Sequence, residues 1–135
     1  MVTALELLKR HEGYRRLAYT DTVGKLTVGY GRNLSDKGLT EAEAEYLLRN
    51  DIAEAEARLE KLPWWGALDS VRRAVLTDMA VNLGFDGLMK FKKTLRFVEA
   101  GWYGAASEEM LASRWAEQVG ERARTLSRLM RLGKE

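Results

Sequence analysis

"HEGYRRLAYTDTVGKLTVGYGR", residues 11–32, changes its periodicity within a few positions, and the fold class turns on that change. Upstream, Thr3 and Glu6 have the spacing of a capping box, with Leu5, Leu7 and Leu8 as the apolar positions of a short helix over 3–12. Gly13 suits the backbone conformation that ends helices. Beyond it, Leu17 and Tyr19, then Leu26, Val28 and Tyr30, alternate with period two on either side of TDTVGK. This is the pattern of a β-hairpin, with a third short strand from Gly31 to Leu34. The glycines at 24, 29 and 31 point to bulges or close backbone approach.

Downstream the chain reads as helix. Thr40 and Glu43 repeat the capping-box spacing, and Ala44, Leu47, Leu48, Ile52, Ala55 and Leu59 form one face of a helix predicted over 40–62, which Pro63 stops. About twenty residues span roughly 30 Å, enough to join two lobes. A central buried helix follows from about Asp69 to Leu83, with Val71, Val75, Leu76, Met79 and Ala80 on its core face. Further helices are predicted at about 87–100, 102–112 and 121–132, and Trp64-Trp65 reads as a hydrophobic plug. The expectation is one α+β, mostly helical domain. A hairpin lobe covers about 13–39, a connecting helix about 40–62, and a helical lobe about 64–135 together with the N-terminal helix 3–12.

Composition narrows the chemistry. The 135 residues contain no cysteine and one histidine, His11, which excludes a disulfide framework, a thiolate nucleophile, a Cys-type zinc site and a multi-His metal centre. No metal or cofactor is expected, so catalysis must lean on carboxylates. A net charge of +2 falls short of the dense clustering of a dedicated nucleic-acid binder. From Arg114 onward, six basic residues face three acidic ones, which favours a polyanionic partner for the C-terminal helix. No apolar run approaches the eighteen or so residues of a membrane span, and the first residues lack the basic-then-apolar order of an export signal. A start in the cytoplasm and no stable membrane association are therefore expected.

Glu12 and Asp21 flank the predicted hairpin, and Thr27 falls one strand along from Asp21, where a hydroxyl can hold a water against a carboxylate. Glycosidic hydrolysis needs such a pair: an acid for the leaving oxygen and a carboxylate for water or the anomeric carbon. Spacing alone does not make them one site. A turn Asp commonly bonds only backbone, and a Glu at a helix end is commonly just solvated.

The stretch 11–32 resembles the N-terminal signature of phage-type lysozymes, glycoside hydrolase family 24, in which a Glu, eight residues, an Asp, five residues and a Thr form the catalytic set. Glu12, Asp21 and Thr27 match without a gap. The likeness continues through "GLTEAEAEYLLRNDI" (38–52), "DSVRRAVLTDMAVNLG" (69–84), "FKKTL" (91–95) and "SRW" (113–115). It implies a small hairpin lobe and a larger helical lobe with a cleft between them. It also implies a muramidase that cleaves the β-1,4 bond between N-acetylmuramic acid and N-acetylglucosamine in peptidoglycan. Glu12 is then the general acid, and Asp21 with Thr27 orients water in an inverting reaction, or attacks directly.

By the same resemblance, Asn33, Val81, Asn82 and Thr94 are substrate-contact candidates, and Arg122 is a supporting cation paired with the catalytic Glu. Arg32 and Asn33 depart from a His and Leu found in some members. The implied biology is a monomeric endolysin of a phage or prophage, which depends on a holin to reach the wall and lyse the host. Its partner is the glycan strand, with no nucleic acid. The rivals are a lytic transglycosylase, which uses one Glu and no water, and a non-catalytic wall-binding module.

Overall fold

The computed structural model describes residues 1–135 as eight α-helices and a three-stranded antiparallel sheet of order β1-β2-β3, the mostly helical α+β class expected. The chain parts into two compact units, Met1–Leu47 and Leu48–Glu135. The first contains helix α1 (Ala4–Glu12), strands β1 (Arg15–Thr20), β2 (Leu26–Gly29) and β3 (Arg32–Asn33), and the start of α2 (Glu41–Leu59). The sequence reading grouped residues 3–12 with the helical lobe, whereas contacts group them with the hairpin.

Local hydrogen bonds shape the first unit. Thr3 and Glu6 form the reciprocal capping box of α1, and Thr40 and Glu43 do the same for α2. In the sheet, Tyr19 pairs with Thr27 and Thr27 with Asn33, so Thr27 is central. Within β2, Thr27 is the buried residue, at 4% exposure, while Leu26 is 44% exposed. Two faces of a strand are chemically distinct, but which one is covered depends on what packs on it.

β3 is fastened to α2 by a fork of hydrogen bonds from Arg32 to the Glu43 carboxylate, and Arg32 also donates to the Gly38 carbonyl. The Arg32 guanidinium, with help from the Thr40 backbone, holds the Glu43 carboxyl down at about 2.

The second unit holds the apolar core. α2 ends at Leu59, three residues before the predicted Leu62, because its last turn tightens: Lys61 N–H donates to the Arg58 carbonyl and Leu62 N–H to that of Leu59. Trp65 is buried in a short 3-10 turn, Trp65–Ala67, consistent with the plug reading. α3 (Ser70–Leu83), capped by Asp69, buries Val75, Leu76, Thr77, Met79 and Ala80; Val71 is only half-buried.

The helix predicted over 87–100 is two, α4 (Phe85–Met89) and α5 (Lys92–Ala100). Between them Phe91 leaves helical geometry (ψ 58°) and packs edge-on against Trp115, 6.0 Å between centroids. α6 (Tyr103–Leu111) and α8 (Glu121–Leu132) lie where expected, but a short helix α7 (Arg114–Val119), capped by Ser113, was not predicted. Met79, Leu88, Met110 and Met130 are fully buried at the centre of this unit.

Because the folded Glu43 carboxyl ionises below its ordinary 4.5, the contribution of its pair with Arg32 is complete above about pH 4.5 and is lost as pH falls toward 2. In thermal unfolding of wild type against Glu43→Gln, the variant is expected to melt lower at pH 6, with the gap closing by pH 2. A gap that does not depend on pH refutes the linkage.

Candidate active site

Glu12 is the last residue of α1, and Gly13 (φ 71°, ψ 156°) turns the chain out of the helix toward β1. The Glu12 carboxyl lies against the backbone at Gly31, between β2 and β3. A Cβ added at Gly31 would sit 2.5 Å from Glu12 Oε2 and 2.9 Å from its Cδ. Gly31 also has φ +76°, which favours glycine in its own right. Sequence reasoning marked residue 31 as one of three glycines permitting close approach; the group that approaches is the carboxyl of Glu12.

Asp21 follows β1 and closes the hairpin turn. Its Oδ1 accepts from Val23 N–H (3.0 Å) and Lys25 N–H (2.8 Å), while its own N–H donates to the Lys25 carbonyl (2.8 Å). Oδ2 is left without a protein hydrogen bond. The Thr27 hydroxyl donates to the same Lys25 carbonyl, at 3.1 Å. Asp21 and Thr27 are thus fixed to the backbone N–H and carbonyl of one residue, Lys25, for which the sequence alone gives no signal. Its ammonium is occupied with Asp36.

The other candidates have structural partners. Asn33, on β3, donates to Asp36 Oδ2 (3.2 Å) and accepts from Asp36 N–H (2.9 Å), so its amide holds the loop after the strand. In the second unit, the Asn82 side-chain oxygen accepts from Trp115 Nε1 (2.8 Å). Arg122 donates from Nε (2.9 Å) and a terminal nitrogen (2.7 Å) to one oxygen of Asp78. The resemblance named the catalytic Glu as the partner of this arginine; the ion pair seen is with Asp78. Val81 and Arg122 line one cavity of about 700 Å³. Thr94, 3% exposed, and Trp115 line another of about 470 Å³. No cluster of three or more His, Asp or Glu side chains suits a metal ion, and no helix is long and apolar enough to cross a membrane.

Chemically, the hairpin unit offers a carboxyl at a helix end and a carboxylate with one oxygen immobilised and one open. A hydroxyl, its proton already committed, meets the same Lys25 carbonyl as the Asp21 N–H. Such a set suits acid–base work at a polar bond rather than nucleophilic sulfur or metal chemistry.

Comparison with known proteins gives this set its family. Residues 9–131 match the Phage lysozyme family. The chain is 32% identical to an endolysin of Acyrthosiphon pisum secondary endosymbiont phage 1, covering 87% of this chain and 82% of that one. It is 25% identical to the probable T4-type lysozyme 1 of Dictyostelium discoideum, over 98% of this chain and 96% of that protein. It is also 26% identical to part of the pre-baseplate central spike protein Gp5 of Enterobacteria phage T4, over 95% of this chain but 27% of the larger protein. The match spans the hairpin with Glu12, Asp21 and Thr27 and nearly all of the helical unit, and the chain therefore belongs to the phage lysozyme family, a lysozyme-type glycoside hydrolase.

Proposed function

We propose that the chain is an endolysin that hydrolyses the β-1,4 bond between N-acetylmuramic acid and N-acetylglucosamine in peptidoglycan. Glu12 is the general acid, and Asp21 with Thr27 directs water in a single inverting displacement. The observation that carries this reading is the division of labour around Lys25: Asp21 Oδ1 is tied to two backbone N–H groups, leaving Oδ2 open, and the Thr27 hydroxyl spends its proton on the Lys25 carbonyl. A water approaching this pair finds two acceptors. It donates one hydrogen to Thr27 Oγ1 and the other to Asp21 Oδ2, and its lone pair is turned outward.

The reaction then balances. Glu12 gives its proton to the leaving glycosidic oxygen as the bond to the anomeric carbon breaks, the water oxygen bonds that carbon from the opposite face, and Asp21 takes the water's proton. Room for the water requires carboxyls about 6.5–9.5 Å apart, against about 5–5.5 Å for direct attack. The chain acts as a monomer, is made in the cytoplasm of the host bacterium, and meets the wall once a holin-type lesion opens the membrane. Clearing the wall lyses the cell.

In turbidity assays on permeabilised cells, Glu12→Gln is expected to lower clearing about a thousandfold, the scale of a lost general acid. Asp21→Asn keeps an oxygen for the two turn hydrogen bonds and is expected to melt like wild type while clearing as poorly as Glu12→Gln. Clearing by either variant within a few-fold of wild type removes that residue from the mechanism.

Gly31→Ala tests the placement of Glu12. The new methyl displaces the carboxyl, and a misplacement near 1 Å is worth about a hundredfold in rate. The positive φ adds about 1–2 kcal/mol of destabilisation. Activity falling in step with melting alone, with no loss per folded molecule, contradicts the role given to Gly31.

A further inference from the structure

Glu12 ends a helix that buries none of its residues, so packing of α1 into a core does not set where this carboxyl sits. Contacts between this end of α1 and the sheet converge instead on the turn Gly29-Tyr30-Gly31. Val28 pairs with Arg32 across that turn, and both glycines have positive φ, 69° and 76°. Glycine adopts such angles at no steric cost, which lets so short a link close and leaves Tyr30 as its middle residue.

The Tyr30 ring meets the chain on both sides of Glu12. Lys9, a helical turn before Glu12, holds its ammonium 5.5 Å from the ring centroid. Tyr14, just after the helix end, holds its ring 5.6 Å away, tilted by 38°. Both are attractive separations for a cation over a ring and for an aromatic pair, and both belong to the ring rather than the hydroxyl. The Lys9 carbonyl accepts from Gly13 N–H at 3.1 Å, which closes the helix end around Glu12. Between these two contacts, the backbone at Gly31 lies against the Glu12 carboxyl itself.

The turn is braced from its far side. Arg32, the next residue, donates to the Glu43 carboxylate and to the Gly38 carbonyl, and the same Glu43 oxygen accepts from Thr40 N–H. Individually weak side-chain contacts can place a group well when the backbone that presents them is already held.

We infer that Tyr30 is a positioning residue for the general acid. Its ring clamps Lys9 and Tyr14, the two sides of the segment that carries Glu12, and so keeps the Glu12 carboxyl against Gly31. The inference rests on the reading of Glu12 as general acid and deepens it: the family spacing of Glu12, Asp21 and Thr27 contains no such clamp.

Tyr30→Ala, Tyr30→Phe and Lys9→Met/Tyr14→Leu are assayed by release of fragments from soluble, uncross-linked peptidoglycan strands, each with Glu12 and with Glu12→Gln. Rates are expressed per folded molecule, from circular dichroism melts. With Glu12 present, Tyr30→Ala is expected to lower kcat about tenfold at unchanged KM, less than the roughly hundredfold cost of a full 1 Å misplacement. Tyr30→Phe keeps the ring and is expected to match wild type. Lys9→Met/Tyr14→Leu leaves Tyr30 in place but removes what it clamps, and is expected to reproduce the loss even where Tyr30→Ala folds poorly.

In the Glu12→Gln background, Tyr30→Ala is expected to cost nothing further, because a residue that acts through Glu12 has no acid left to place. A Tyr30→Ala loss carried by KM makes Tyr30 a substrate contact, and an equal loss in both backgrounds makes it merely structural; either result, or wild-type rates in Tyr30→Ala, overturns the inference. Failure of the general-acid reading looks different: Glu12→Gln alone then releases fragments at the wild-type rate, whatever Tyr30 does.

Discussion

One carboxylate oxygen organises the hairpin. Asp21 Oδ1 draws the N–H groups of Val23 and Lys25 into the turn that returns the chain from β1 to β2. That return sets Thr27 opposite Tyr19 and beside Asn33 in the middle of the sheet. Without this turn there is no register to bury Thr27, and no reason for its hydroxyl to meet the carbonyl of Lys25. The same side chain is thus a structural anchor on one oxygen and open on the other. Immobilising one oxygen fixes the direction of the second, which is how a short loop can hold a side chain in one defined geometry.

The hairpin unit relies on such directed polar contacts to an unusual degree. Thr27 is its one buried residue, whereas the apolar core, from Ala55 to Met130, belongs to the helical unit. Two capping boxes, the Asp21 turn, the Asn33–Asp36 loop and the Arg32–Glu43 fork order the segment. Polar contacts of this kind contribute little each, but they specify geometry. A hairpin unit held by directed polar contacts is thus followed along the chain by a helical unit held by packing.

Legibility in the sequence follows the same division. The capping boxes, the hairpin and the third strand were readable because each depends on hydrogen bonds between residues a few positions apart. The family was readable too, once Glu12, Asp21 and Thr27 were taken together at a known spacing. What was not readable depends on distant partners. Phe91 leaves its helix to meet Trp115, and Trp115 reaches back to Asn82, 33 residues earlier. Arg122 finds Asp78 across 44 residues. Apolar alternation does not say which side of β2 is covered, and helix α7 was missed because six residues are too few to show a period. Gly31 lay between these cases: the glycine signalled a close approach, and only the fold says that Glu12 makes it.

The central claim is that water, directed by Asp21 and Thr27, is the nucleophile. Digestion of purified peptidoglycan in water enriched in oxygen-18, with the anomeric configuration of the new ends read by NMR at early times, tests it most directly. The account predicts N-acetylmuramic acid reducing ends carrying one labelled oxygen at the anomeric carbon, formed first as the α-anomer. Anhydro ends without label, or labelled ends formed first as the β-anomer, contradict it.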